Sequence, residues 1–372
     1  MIPRSPPTPK DNMKRLLLLA LALAFAATAA EAKTYYVNAS RPNNNGNGLK
    51  ASTAKKTIQA AVNLAVADDT ILVYPGEYAP FKTNNKKIVI KSVKGASQTK
   101  IVKTVALHDA ALAQLGKPWT ETYWDSYGKK QTYSSAPYTK GKDTTLAGFL
   151  FDGKNRSIDF VLGISGGTAK SCSIQRMGSS YGYGVAVVNA TLTGSTIMNN
   201  QALSTIAQKS ILSRCRILNN NHDDVGVSQS RLCHCLFVGN RNRYMGSYGT
   251  MAVFDATTLI NCTIAENRSM WPYAPFSHKS KYYNCILRNN RRDNASGGSS
   301  VHNTDAGNTY SRTYQNNRDP KFASGGYTLA KGSPCIDQGT IPAAIKSLVG
   351  SVDLAGVKRI RGKAIDMGCY EY

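Results

Sequence analysis

Arg241, Arg268 and Arg291 each stand directly after an Asn (Asn240, Asn267, Asn290), and those Asn recur at one place in a repeat. Two earlier copies carry Gln201 and Asn221 at the same position. If like positions stack, three guanidiniums fall into one exposed column. The residues that follow in each copy bring His222, Asp223 and Asp224, then Arg243 and Tyr244, then Trp271 and Tyr273, then Arg292 and Asp293. Guanidinium pairs carboxylate or sulfate groups bidentately, and Tyr244, Trp271 and Tyr273 offer faces for sugar rings. An acidic glycan lying along the column suits this set. His222, Asp223 and Asp224 add titratable groups of the kind that transfer protons. The bland alternative is the solvated face of a very basic protein, with Asp223, Asp224 and Asp293 balancing nearby Arg.

The charge points the same way. Lys and Arg number 46 against 22 Asp and Glu over 372 residues, a formal charge of +24, which favours anionic partners. A hydrophobic share of 42% is ordinary for a chain that buries a core and too high for a disordered one. Met13-Lys14-Arg15, the apolar run Leu16 to Ala27 and Ala30-Glu31-Ala32 have the three parts of a secretory signal peptide. The run is too short to span a bilayer comfortably. Multi-span membrane proteins, coiled coils and acidic-tail proteins are excluded. Removal of residues 1–32 leaves 42 basic and 20 acidic residues, or +22. A secreted, periplasmic or cell-surface protein is expected, with an anionic polysaccharide as partner. Nucleic-acid binding, stable membrane insertion and oligomerisation are not expected.

A repeat must position the column. Apolar, small, apolar and Asn positions recur as Leu192, Ser195, Ile197, Asn200 and as Leu212, Cys215, Ile217, Asn220. Further copies are Leu232, Cys235, Phe237, Asn240; Leu259, Cys262, Ile264, Asn267; and Tyr282, Cys285, Leu287, Asn290. Successive small positions lie 20, 20, 27 and 23 residues apart, and degenerate copies precede them at Cys172 and Gly148. Val187, Ala207 and Val227 form a further matched set, with Val253 one residue further out. These periods are too short for two-helix repeats and suit a coil of short strands. Small and apolar positions two apart share one strand face. Stacked turns then make continuous ladders. The recurrent Asn fits a tight left-handed corner, and stacked amides can bond one another along the axis.

The ends must cap this stack. Ile58, Ala61, Val62 and Ala65 share one face of a predicted helix over residues 57–67, which feeds the strand Ile71-Leu72-Val73-Tyr74. Tyr35-Tyr36-Val37-Asn38, Gly46-Asn47-Gly48-Leu49, Lys56-Thr57-Ile58-Gln59-Ala60-Ala61 and Pro75-Gly76-Glu77-Tyr78 resemble the start of bacterial pectate-lyase-like right-handed parallel β-helix proteins. Asp319-Pro320-Lys321-Phe322, Gly332-Ser333-Pro334-Cys335-Ile336-Asp337 and Ile365-Asp366-Met367-Gly368-Cys369-Tyr370-Glu371 resemble the choice-of-anchor Q tail that closes many such chains. The resemblance implies an all-β, single-stranded right-handed parallel β-helix with an N-terminal capping helix. It divides the chain into a signal peptide (1–32), the β-helix (33–318, with an insertion at 108–145) and a closing segment (319–372).

For function the resemblance implies less. Lyases of this fold abstract a proton beside a uronate carboxylate with Lys or Arg, while calcium or Arg neutralises the acid. Its hydrolases use clustered Asp, a class that His222-Asp223-Asp224 fits only in part. No cofactor is identified from the residues; Ca2+ stays open through the lyase comparison, although the turn Asn43-Asn44-Asn45-Gly46-Asn47 carries no charge. Cys335 and Cys369, in the two tail motifs, are the disulfide candidates. The ladder residues Cys215, Cys235, Cys262 and Cys285 read as small buried apolar groups. The segment 116–142 interleaves aromatics with Lys and reads as an excursion packed on the solenoid wall, with glycan contact as the other use. The expectation is an exported protein that binds acidic or sulfated polysaccharide and cleaves it if it is a lyase or hydrolase. The alternative is a non-catalytic surface or matrix structural protein.

Overall fold

Three walls of short parallel strands wind into a solenoid. The computed structural model describes residues 31–102, 110–114, 121–124, 130–133, 144–154, 161–177, 184–201, 203–223, 225–243, 253–269, 277–290, 300–302 and 319–372. The first wall runs through eleven strands from Thr34–Val37 to Ser300–His302, and the second through nine from Gly76–Tyr78 to Ile286–Arg288. The third runs from Phe81–Lys82 through Leu203–Gln208 and there divides. Residues 34–372 form one unit.

The repeat is legible in the corners. In the rung 191–210 the backbone turns left-handed at Gly194, Asn199 and Lys209 (φ 56°, 53° and 48°). The same three places recur at Arg214, Asn219 and Gln229, at His234, Gly239 and Ala256, and at Asn261, Glu266 and Lys279. The recurrent Asn is therefore not the left-handed residue, as its type suggests; it follows that residue. The turn at Asn199 or Gly239 swings the next side chain inward, and the inward residue is the one that ladders. At Gly239 (φ +67°) a β-carbon would lie 2.3 Å from the Asn219 side chain, so a larger residue there would have to displace Asn219.

Each corner starts its own ladder. After the second corner, Asn200 donates to Asn220 Oδ1 (2.7 Å), Asn220 to Asn240 (2.9 Å), Asn240 to Asn267 (3.1 Å) and Asn267 to Asn290 (2.8 Å). After the first corner, the thiols of Cys215, Cys235, Cys262 and Cys285 each donate to the carbonyl two residues back, at 3.3–3.4 Å. After the third corner stand Ser210, Ser230 and Ser280; the Ala190, Ser210 and Thr257 N–H groups donate to Ser210, Ser230 and Ser280 Oγ respectively. Between the ladders lie apolar columns, with Leu192, Leu212, Leu232 and Leu259 on the first wall and Ile197, Ile217, Phe237 and Ile264 on the second, all fully buried. On the third wall Val187, Ala207 and Val227 stack as expected, but Phe254 rather than Val253 continues them. Its ring meets Phe237 at 4.9 Å.

The helix forms at Ile58–Leu64 with Thr57 as N-cap, whose hydroxyl accepts from Ala60 N–H. Ile58, Ala61, Val62 and Ala65 are buried as the periodicity predicts. It lies inside the first rung rather than before it, because Thr34–Val37 already pairs with Thr70–Val73. The Asn-rich turn is tied by its own amides: Asn44 Oδ1 accepts from Lys56 and Thr57 N–H, and Asn47 Oδ1 from Leu49 N–H. Within the segment 116–142, Glu121–Trp124 and Lys130–Tyr133 pair as an antiparallel hairpin apart from the three walls.

The closing segment 319–372 covers an apolar strip on the outside of the last rungs. Leu354 and Cys369 pack with Leu236, Val238 and Ala265, while Cys335 and Met367 pack with Ile286. It docks on one corner column. Asn261 Nδ2 donates to Asp366 O (2.9 Å), Asn284 exchanges bonds with Thr340, and His234 meets Gly350 and Arg359. Gly368 (φ +87°) passes so close that a β-carbon would lie 2.8 Å from Ile286 and Thr263. The candidate disulfide does not form: Cys335 and Cys369 lie in separate apolar clusters, and none of the eight Cys is bridged to another. Burial pushes the Cys369 and Cys233 thiols up to about 12 and Cys172 up to about 11, which keeps them unreactive. Ellman's reagent should therefore find essentially no thiol in the native protein and eight in guanidinium without reductant; six would restore the disulfide.

Candidate functional site on the third side

In the described rungs from residue 191 to 290, sequence length varies on only one side of the coil. From each ladder Asn to the next third-corner residue the chain takes 9 residues in the rungs starting at Asn200 and Asn220, 16 after Asn240 and 12 after Asn267. In these rungs the other two sides stay at five residues, so the added length falls on the third side. Leu203–Gln208 is its last unbroken strand. In the following rung Asn221–His222 pairs with its beginning and Val227–Ser228 with its end. Arg241–Asn242 and Phe254–Asp255 repeat this division, as do Arg268–Ser269 and Ser277–His278. The third side thus has two stacked edges.

At the first edge, Asn221, Arg241 and Arg268 are in register on neighbouring strands. The expected column is present as far as Arg268, and both Arg side chains are exposed. Upstream, Asn221 Nδ2 donates to Gln201 Oε1 at 2.5 Å. Among the described residues neither Arg241 nor Arg268 has a carboxylate within ion-pair distance. Like charges directly opposite across a sheet repel, a repulsion that an anion lying between them would relieve. One step along, Arg243 does find a partner, with Nε and Nη2 donating to the two Asp223 oxygens at 3.2 and 3.4 Å.

His222 does not share that surface. It points into the solenoid and is fully buried, with its ring 3.1 Å from where a β-carbon on Gly226 would stand. His222 and Asp223 therefore occupy opposite faces and do not form an acid–base pair; the alternation of an extended strand separates them. Asp224, Tyr244, Trp271, Tyr273, Arg291, Arg292 and Asp293 lie outside the described residues.

The second edge carries a pair that the sequence reading missed. His278 Nδ1 lies 2.7 Å from Asp255 Oδ1, with side chains 23% and 19% exposed, and Ser228 Oγ lies 3.5 Å from Asp255 Oδ2. Ser228, Asp255 and His278 each stand four residues before the leading apolar position of their copy (Leu232, Leu259, Tyr282). That alignment was the available signal. Among the described residues no group of three or more potential ligands gathers to hold a metal ion.

The fold is that of a parallel β-solenoid. Solved structures with this architecture include a pectate lyase, Pel9A, at 12% identity, covering 91% of this chain and 96% of that one with a TM-score of 0.36. A rhamnogalacturonan lyase is 11% identical over 73% of this chain and 87% of that one, at a TM-score of 0.42. A Geobacillus virus E2 protein, ORF18, is 13% identical over 82% of this chain, at a TM-score of 0.39, and this chain spans 64% of its length. No protein-family profile matches the chain, and no curated protein matches it.

Proposed function

We propose that this is an exported protein that binds acidic or sulfated polysaccharide on the third side of its solenoid, with Arg241 and Arg268 as the anion-binding pair. The observation that carries this reading is the in-register stacking of two exposed guanidiniums on adjacent strands without a described acidic partner. A strand separation of about 4.8 Å lets one carboxylate or sulfate meet both. The signal-peptide pattern in residues 1–32, and the +22 charge that its removal would leave, support a site that meets charged glycans outside the cell. Arg243, already held by Asp223, contributes less.

A panel of uronate and sulfated glycans tests the reading by titration calorimetry, with unsaturated products and new reducing ends followed in the same samples. Arg241→Gln/Arg268→Gln should weaken binding about tenfold or more, since each loses a charge-assisted contact. Lys358→Gln/Lys363→Gln, a pair on the exposed surface of the closing segment, should change it about twofold at most. Equal losses from both pairs would mean diffuse attraction and no site. Binding without products would assign the protein to recognition; neither binding nor products would leave a structural role.

A further inference from the structure

We propose that Asp255 and His278 form a second saccharide contact, so that a bound glycan crosses the third side from the Arg pair to the Asp–His pair; this rests on the polysaccharide reading above. The two pairs share the outward face. In the register of the unbroken strand, Arg241 stands level with position 202 and Asp255 with Gln208. Six steps of extended chain separate them by about 20 Å, a span for an oligosaccharide and not for a single sugar.

Two observations favour this direction over one along the axis. Upstream of Arg241 the outward column offers Asn221 and Gln201 among the described residues, and their amides already bond each other. Across the wall, beyond the Arg243–Asp223 pair, the described outward groups Asp255 and His278 are instead partly exposed. Asp255 spends Oδ1 on His278 Nδ1, which leaves its second oxygen with only the long contact to Ser228. The imidazole is thereby fixed with Nε2 as its remaining polar atom. A carboxylate oxygen that accepts and an imidazole nitrogen that donates or accepts, on neighbouring strands, are groups that bind the hydroxyls of a pyranose.

Oligogalacturonates of two and six residues test the proposal by calorimetry. Asp255→Asn and His278→Gln should each weaken the hexamer about tenfold and leave the dimer unchanged, whereas Arg241→Gln/Arg268→Gln should weaken both. Unfolding midpoints of Asp255→Asn and His278→Gln measured alongside separate lost contacts from lost fold, and Ser228→Ala supplies a milder variant of the same edge. Hexamer binding that ignores all three substitutions, or falls with Arg291→Gln instead, overturns the crossing direction while leaving the polysaccharide reading intact. A wild-type chain that binds neither oligomer nor any sulfated glycan overturns both.

Discussion

Asn240→Ala should lower the unfolding free energy by about 3–5 kcal/mol, out of proportion to the few atoms removed. The Asn240 side chain sits in the middle of the ladder and is fully buried. Its Oδ1 accepts from Asn220 N–H (3.0 Å) and Nδ2 (2.9 Å); its Nδ2 donates to Ile217 O (2.9 Å) and Asn267 Oδ1 (3.1 Å). Truncation leaves the Asn220 N–H and the Ile217 carbonyl without these partners in the core, at about 1–3 kcal/mol each, and opens a small cavity. Asn240→Asp should be worse still, because it loses both donors and buries a charge. Urea unfolding of Asn240→Ala beside Asn221→Ala, whose side chain faces outward on the next wall, checks the claim. Equal losses would show that the ladder contributes nothing beyond ordinary packing.

Acid should loosen the closing segment through His234. This residue is buried on the corner column between the first two walls, and its pKa is lowered from 6.5 to about 3, first by burial and then by the charges of Arg359 and Arg214. Arg359 Nη2 lies 2.8 Å from Nδ1 and Gly350 N lies 3.2 Å from Nε2. Both neighbours are donors, so a doubly protonated ring faces them with no acceptor. Because the folded-state pKa lies below the unfolded one, the stabilisation is complete above pH 6.5 and is lost as the pH falls toward 3. Between pH 7.5 and pH 4 the loss is about 3 kcal/mol. Asp366, whose pKa burial raises, works in the opposite sense, so the comparison must be made against His234→Gln. Wild type should lose stability more steeply than the variant over that range; parallel curves would remove His234 from the account. Arg359 is also held by Glu371 Oε2 at 2.8 Å, with both side chains at most 2% exposed. Glu371→Gln strands that guanidinium and should cost about 3–5 kcal/mol at neutral pH.

Those two clusters also show how the tail motifs work. Asp366 binds Asp337 N–H and Tyr372 N–H, Asp353 binds Ala355, Val357 and Glu371 N–H, and Glu371 binds Ile360 N–H as well as Arg359. The acidic residues of Ile365 to Glu371 serve the clasp. None of them faces the third side, so an acidic cluster in sequence there is no pointer to chemistry.

The repeat by itself determined the coil, the stacking of Asn200 through Asn290, the thiol ladder and the capping helix face. Each of these depends on residue type at a fixed spacing within one rung, and spacing is what a sequence records. It also determined that Arg241 and Arg268 stand on neighbouring strands. The tertiary structure alone decided that His222 faces inward and that Cys335 and Cys369 sink into different clusters. It alone decided that Asp255 and His278, 23 residues apart, touch. A tilt of one residue at a left-handed corner reverses which side chains enter the core, and contacts across rungs depend on which side carries the extra residues of the 27- and 23-residue copies. Local pattern carries neither quantity, because both are set by how one rung settles on the next.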